Sequence, residues 1–141
     1  MVQKFSSFLL ILLLLFLLAG CNTGSIHKLT WETFPKKHKK ALVEMYVGEI
    51  SQPHREIAII NSPFYPDQTD QTKVEMLEDL RRLARRVGAD AVMDIHMLPK
   101  RFEGMVMDDR VPFPAWKQGE YDAFFLRGKA VVFEQESSVQ N

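Results

Sequence analysis

Cysteine is nearly absent from the sequence, since Cys21 is the only one among 141 residues. One thiol cannot form a disulfide within the chain, so the framework that stabilises many small secreted domains is excluded. Zinc sites built on clustered cysteines are excluded as well. Thiol catalysis is excluded because the one thiol lies at the end of an apolar N-terminal segment. The folded part of the chain must therefore be held together by a packed apolar core.

The sequence also lacks an excess of charge of either sign, with 18 basic and 18 acidic residues. Nucleic-acid-binding proteins usually carry a strongly basic surface, so this balance argues against that class. Motifs with a known mechanism are missing too. There is no H-E-x-x-H or H-x-x-x-H spacing, and no nucleophile-elbow glycines surround Ser51 or Ser62. We therefore predict that the protein is not an enzyme and holds no cofactor.

What the sequence does have is an apolar run at residues 8–18, which follows the basic Lys4 and leads into Leu18-Ala19-Gly20-Cys21. A basic start, a short apolar stretch and a small-residue site are the parts of a secretory signal peptide. The last four residues resemble the lipobox of bacterial lipoproteins, in which the thiol is acylated with chains such as palmitate. The resemblance implies a cleaved signal peptide at residues 1–20 and a lipidated Cys21.

The same segment leads to two expectations about the membrane. It falls short of the roughly 20 apolar residues that span a bilayer, so an uncleaved transmembrane anchor is the less favoured alternative. In the lipoprotein family an aspartate after the cysteine tends to retain the protein at the inner membrane, and this chain has Asn22 there. The resemblance therefore implies an anchor in the outer membrane, with the protein facing the periplasm.

Three further segments follow the signal. Residues 21–40 are polar and basic, and we predict that they form a tether between the lipid and a domain at residues 41–134. The basic cluster at residues 36–40 is interpreted as a solvated linker, because short charge runs are usually solvated. Attraction to acidic lipid is the alternative. Residues 135–141 are predicted to be a disordered tail.

The domain pattern predicts an α+β fold, with one main helix on one face of a small antiparallel or mixed sheet of about four to five strands. Apolar runs at residues 42–47 and 56–60 predict two strands. A helix is predicted from an N-cap within residues 69–72 to a C-cap at Gly88. Side chains at three- and four-residue steps would form its apolar face: Val74, Leu77, Leu80, Ala84 and Val87.

After the helix, residues 89–97 alternate as in a strand, and Pro99 is predicted to end it. Residues 100–120 predict a long proline-rich loop, with a short strand at residues 104–107 as an alternative for that part. Residues 121–134 predict strand on both sides of Gly128, as one long bent strand or as a tight hairpin. In the predicted strand at residues 89–97, four apolar side chains would leave the same side: Ala91, Met93, Ile95 and Met97.

Parts of this domain are similar to a group of small bacterial proteins. The similarity is carried by the helix sequence at residues 80–84, the Gly-Ala-Asp-Ala-Val run at 88–92 and the Arg-Gly-Lys-Ala-Val run at 127–131. The group includes periplasmic lipoproteins of unknown function and the heavy-metal-binding domain family. The Rcs envelope-stress sensor lipoprotein is a more distant likeness, whose paired cysteines this chain lacks. The resemblance implies a fold rather than a chemistry.

Metal binding is the first function that this resemblance invites. Asp94 and His96 are two residues apart on a predicted strand, so their side chains would leave the same face. Zinc usually takes four ligands at defined geometry, and the histidines have no such spacing. We therefore predict no metal site, and a metal-responsive or stress-sensing lipoprotein stays an alternative. Other acidic and histidine residues were weighed as ligands: His54, Glu56, Asp90, Asp108 and Asp109.

Partner binding is the favoured class. The predicted loop places several large apolar side chains in one proline-rich segment, and protein interfaces are enriched in aromatic residues, methionine and arginine. The alternative is that these side chains fold back as a lid on the core. We predict a non-catalytic binding or structural protein of the envelope, with an unknown envelope protein as partner. The predicted partner-binding residues are Phe102, Phe113, Trp116 and Tyr121.

Overall fold

A computed structural model describes residues 23–108 and 115–134. Within them, one helix packs on one face of a five-stranded mixed sheet, which confirms the predicted α+β fold. Cys21, the tail at residues 135–141 and the segment 109–114 lie outside the described residues. The elements in chain order are β1 (Ser25–Lys28), β2 (Glu44–Met45), β3 (His54–Asn61), α1 (Asp70–Val87), β4 (Ala91–Asp108) and β5 (Ala115–Phe133).

The strands lie in the order β1-β3-β5-β4-β2, so the C-terminal strand is at the centre of the sheet. Neighbouring strands are antiparallel except β2, which runs parallel to β4. Strand β1 belongs to the stretch that we predicted to be a tether, and that interpretation is wrong for residues 25–28. Ile26 pairs with Ile60 of β3 and packs against the core. This contact accounts for the ordered conformation of an otherwise polar stretch.

The helix begins and ends where the sequence predicts. The Thr69 hydroxyl accepts a hydrogen bond from the Thr72 N–H at 3.3 Å, and Gly88 adopts a left-handed conformation with φ of 81°. The predicted apolar face is wrong at Val74, which is 60% exposed. Leu80 and Ala84 are buried as predicted and Leu77 and Val87 pack against the core, whereas the buried Met76 and Leu83 were not predicted.

Strands β4 and β5 form one long hairpin where we predicted a loop, so the loop is wrong at residues 100–108 and 115–120, and the alternative strand at residues 104–107 lies within β4. Pro99 does not end the strand, because β4 is an edge strand there and an edge tolerates the missing N–H. Gly128 does not interrupt its strand either, so of the two alternatives predicted for residues 121–134 the structure has one continuous strand, β5. Its lack of a side chain is needed, since a Cβ there would meet Val92 Cγ1 at 2.5 Å.

A β-bulge in β4 changes which side chains face the helix. Asp94 has φ of 54°, and the pairing with β5 shifts between Met93 and His96. Residues before the bulge alternate in one phase and residues after it in the other. The predicted single row is therefore wrong. Val92 and Ile95 pack in the main core beneath the helix, whereas Met93 packs on the opposite face of the sheet.

Tyr65, which precedes the helix in the chain, links the middle of the helix to the sheet. This residue bridges to Phe124 of β5 through two backbone hydrogen bonds, and its hydroxyl donates to Asp79 Oδ2 at 2.7 Å. Burial, together with the Asp79 hydrogen bond, raises the pKa of Tyr65 to about 12, so the phenol stays protonated and keeps donating.

Among the described residues, no helix has the length and apolar character to cross a bilayer.

We expect Gly88→Ala to destabilise the protein. The left-handed conformation costs a residue with a Cβ about 1–2 kcal/mol, and that Cβ would lie 2.6 Å from the Pro35 carbonyl oxygen and 2.7 Å from Phe34 Cβ. Urea unfolding of the full-length protein should show a loss of about 2–3 kcal/mol.

Gly48→Ala is the matched control. A Cβ at this position would meet nothing within 4 Å, so the free energy of unfolding should change by less than about 1 kcal/mol in either direction. Equal losses in the two variants would contradict this account of the helix end.

Candidate functional site on the open face of the sheet

The sheet has one face beneath α1 and one face that we call the open face. Side chains paired across antiparallel strands leave the same side of a sheet, so the register assigns them. Rows of charged and aromatic side chains lie on the open face at the end of the sheet near β1. They come from four strands: Ser25 and His27 of β1, Asn61 of β3, Lys100 and Phe102 of β4, and Tyr121, Phe125, Arg127 and Lys129 of β5.

A chain of hydrogen bonds crosses three strands of this face. Arg127 Nε donates to Asn61 Oδ1 at 2.9 Å, and Asn61 Nδ2 donates to Ser25 Oγ at 2.8 Å. Ser25 Oγ in turn lies 3.4 Å from His27 Nε2. Asn61 is buried, so both ends of its amide are held in one orientation. The network therefore positions the Arg127 guanidinium from one side and leaves its terminal nitrogens for other contacts.

A second polar group is centred on Lys129. Its Nζ donates to Glu56 Oε1 at 3.0 Å and lies 3.7 Å from Asp94 Oδ2. The Glu56 hydrogen bond and charge raise the pKa of Lys129, and Asp94 adds to the effect. Asp94 Oδ1 also lies 2.6 Å from His96 Nε2. Lys129 is therefore compensated by two carboxylates, and this group is a solvated ion-pair cluster with no free cation to bind an anion.

Aromatic side chains continue the open face beyond the polar network. Phe64 makes edge contacts with Phe102 and Phe125, at centroid distances of 5.1 and 5.2 Å. Phe102 stacks on Tyr121 at 5.6 Å. Lys100 Nζ lies over the rings of Phe64 and Phe102, at 5.0 and 5.3 Å from their centroids. The aromatic cluster thus holds the Lys100 ammonium at one place on the surface.

The four predicted partner-binding residues do not form one surface. Phe102 and Tyr121 stack together on the open face. Trp116 pairs with Met107 on the opposite side of the hairpin, and it is 63% exposed. Phe113 lies outside the described residues. The difference follows from strand alternation, because a hairpin sends neighbouring side chains to opposite faces where a loop would have gathered them.

The candidate metal ligands are mostly engaged elsewhere. His54 Nδ1 lies 2.7 Å from the Gln52 carbonyl oxygen, Glu56 binds Lys129, and Asp90 pairs with Lys37 and accepts a hydrogen bond from the Phe133 N–H. Within residues 23–108 and 115–134, no three His, Cys, Asp or Glu side chains come close enough together to hold a metal ion. Asp108 and Asp109 have no described side chain.

Ser62, one of the two serines considered as nucleophiles, has a structural role. Its hydroxyl donates to the Pro63 carbonyl oxygen and accepts the Leu126 N–H, both at 2.9 Å. The side chain is buried where β3 ends beside β5. Both hydrogen bonds of this hydroxyl are therefore made to the backbone, and none of its hydrogen bonds within the described residues is to a histidine that could act as a general base.

A cavity of about 350 Å³ opens where the hydrogen-bond network meets the aromatic cluster, and we call it the cationic pocket. The sequence did not predict it, because Ser25 and His27 were assigned to a tether and their pairing with β3 is a tertiary contact. Short alternation within residues 23–28 was the only available signal. The lining residues are Thr23, Ser25, His27, Asn61, Ser62, Phe64, Lys100, Phe125 and Arg127.

A second groove lies between α1 and residues 36–39, with a volume of about 580 Å³. It is also rich in lysine and arginine, but carboxylates belong to its lining. Glu78 pairs with Arg81, and Asp79 pairs with Arg82 on the same helix. Its charge is therefore partly neutralised within the protein, unlike the charge of the cationic pocket.

Comparison of the chain with protein-family models, with curated proteins and with solved structures finds no match in any of the three. The activity of the protein therefore has to be inferred from its own residues. Two surfaces carry that inference: the cationic pocket on the open face, and the outer half of the β4–β5 hairpin.

We expect Asn61→Ala to destabilise the protein, because Arg127 Nε and Ser25 Oγ both lose their partner in a part-buried network. The expected loss is about 1–2 kcal/mol in urea unfolding of the full-length protein. Gln118→Ala is the control, since Gln118 is exposed on the hairpin, and it should cost no more than about 0.5 kcal/mol. A stable Asn61→Ala variant would mean that the network does not hold Arg127 in place.

Proposed function

We propose that the protein is a lipid-anchored, non-catalytic binding protein of the cell envelope, held at the periplasmic face of the outer membrane through Cys21. The proposal is supported by the basic start, the apolar run and the lipobox-like end of residues 1–21. The likeness to small periplasmic lipoproteins agrees with it. Two or more acyl chains hold a protein firmly at a bilayer, so no spanning helix is needed.

The observation that carries partner binding is the outer half of the hairpin, which we call the arm: residues 101–108 of β4 and 115–122 of β5. These residues pair only with each other among the described strands, and at about 3.3 Å per residue the arm extends roughly 25 Å. A two-stranded hairpin is marginally stable alone in water. A partner that covers the arm would stabilise it.

The side chains of the arm suit a protein partner. Met105, Met107 and Trp116 leave the same face and are 58%, 55% and 63% exposed. Methionine and tryptophan are enriched at protein interfaces. The outer edges of both strands also present backbone groups to which an extended segment of a partner can add as a further strand. We therefore propose an envelope protein with an accessible extended segment as the partner.

Metal sensing, the alternative function, has weaker support. Asp94 and His96 supply two neighbouring ligands, and Asp94 is also near Lys129, whose positive charge opposes a cation. The arm offers exposed contact surface without requiring a further ligand. Partner binding is therefore the function that the described residues favour.

The anchor is tested by Cys21→Ser in cells supplied with labelled palmitate. We expect the native protein to take up label and sediment with outer membranes, because the acylated thiol is its attachment. The Cys21→Ser form should take up none and should not be processed at residue 20. A native protein without label, or a Cys21→Ser form that is processed normally and released, would contradict the anchor.

Partner binding is tested by Trp116→Ala. A photoreactive residue at Met107 first identifies the partner by crosslinking in intact cells, and the affinity of the isolated pair is then measured. We expect the dissociation constant to rise by about thirtyfold, as for loss of a hot-spot tryptophan worth about 2 kcal/mol. The melting temperature should hardly change, because Trp116 is exposed.

Trp31→Ala is the matched control for this experiment. Trp31 is fully exposed and lies outside the arm, so its loss should leave the affinity unchanged. If Trp116→Ala collapses the melting temperature while crosslinking and affinity persist, Trp116 is a core residue and the arm is not an interface.

A further inference from the structure

The cationic pocket holds positive charge that its surroundings do not neutralise. Lys100 and Arg127 both line it, and none of the lining residues is acidic. No carboxylate in the described part of the chain lies within 4 Å of either cation. Lys129 and Arg101, which lie near them on the same hairpin, each pair with two carboxylates. The pocket is therefore a place where an anion would meet uncompensated charge.

These cations are also held in position before any ligand arrives. Arg127 donates through Nε to Asn61, and its guanidinium lies over the Phe125 ring at 5.8 Å from the centroid. Lys100 is held over Phe64 and Phe102. Side chains that are already ordered lose less conformational freedom on binding, so a preorganised pocket binds more tightly than a mobile surface pair.

The groups present match a phosphate in particular. A guanidinium with free terminal nitrogens binds phosphate oxygens in a bidentate way, and an ammonium adds a point charge. The hydroxyls of Thr23 and Ser25 supply neutral donors at the rim. Phe64 and Phe125 form apolar walls for the carbon atoms next to the phosphate. A volume of about 350 Å³ suits a headgroup, since small-molecule sites run from about 300 to 1,000 Å³.

The pocket also lies close to the proposed point of membrane attachment. Thr23 lines it and is two residues after Cys21. Two residues of extended chain span at most about 7 Å. If Cys21 carries the acyl chains, the pocket is held at the level of the lipid headgroups.

We infer that the cationic pocket binds the phosphate of an anionic glycerophospholipid headgroup in the leaflet that holds the anchor. This inference rests on the proposed attachment at Cys21. Binding would orient the domain, because acyl chains attached at one residue do not by themselves select which face of the domain meets the membrane. The open face near β1 then faces the membrane, and the arm is the part available to a partner.

The test uses the full-length protein purified from membranes in a non-ionic detergent. The probes are dihexanoylphosphatidylglycerol, dihexanoylphosphatidylcholine and inorganic phosphate, and binding is measured by titration calorimetry and by the shift in melting temperature. We expect saturable binding of the anionic lipid, at least tenfold tighter than binding of the zwitterionic lipid or of phosphate.

The variants are Lys100→Gln and Arg127→Lys, with Lys28→Gln as the control. Lys28 is one residue from His27 on the same strand but leaves the face that carries α1. We expect the first two variants to weaken lipid binding at least tenfold and Lys28→Gln to leave it unchanged. Their melting temperatures without lipid show whether each variant is folded. Arg127→Lys keeps the charge, so its loss of affinity reports the bidentate contact.

The outcomes that differ from these expectations bear on the pocket, on the anchor, or on both. Inorganic phosphate bound as tightly as the anionic lipid would make this a free-phosphate site and would overturn it. Equal losses in Lys100→Gln and Lys28→Gln, or no saturable binding, would overturn it as well. Failure of lipid binding by a palmitate-labelled protein overturns the pocket alone. Lipid binding by a protein that takes up no palmitate supports the pocket and overturns the anchor.

Discussion

The close contact between Gly128 of β5 and the bulge of β4 is the constraint on which the rest of the sheet depends. Val92 and Ile95 press against the backbone of Gly128, and any side chain there would collide with them. The bulge adds one residue to β4 relative to β5, and Asp94 within it has a positive φ. The bulge reverses the alternation of β4, so the residues beyond it face opposite sides from those that a regular strand would give.

This reversal decides what each face of the hairpin carries. Beyond the bulge, odd-numbered residues of β4 share the face of α1, and even-numbered residues share the open face. Lys100 and Phe102 therefore meet Phe64 and the central strand on the open face. Met105 and Met107 meet Trp116 on the other side. With a regular β4, Lys100 and Phe102 would lie on the face of α1 and Met105 and Met107 on the open face, so both groups would be separated from their partners on β5.

The two proposed binding surfaces consequently have different physical characters. The cationic pocket combines held cations with aromatic walls, close to the proposed membrane attachment. The arm combines exposed sulfur and indole groups with open strand edges at the far end of the hairpin. A headgroup and a protein segment would therefore occupy separate places on one chain, and neither needs a catalytic group. The same long hairpin joins the two surfaces, so lipid binding at one end would set the direction of the other.

Local chemistry was enough to predict several features from the sequence. The helix and its caps follow from Thr69 and Gly88, whose preferences act within a few residues. The apolar run of β3 and the strand character around Gly128 also follow from neighbouring residues. The lipobox-like segment is also a linear motif, and the lipidation that it implies stays a prediction.

Only the tertiary structure decided the arm, the bulge and the cationic pocket. Residues 101–108 have little strand signal of their own and are ordered by pairing with residues 115–122. The sequence around Ser25 and His27 is typical of a polar linker, and only the pairing with β3 makes these residues a strand. Side-chain alternation has a period of two, so a bulge of one residue moves every later side chain to the other face. No local sequence motif predicts this bulge. The sequence by itself therefore determined the helix, its caps and the strands that have a local apolar signal, and the pairing of distant strands determined β1, the arm and which residues share a surface.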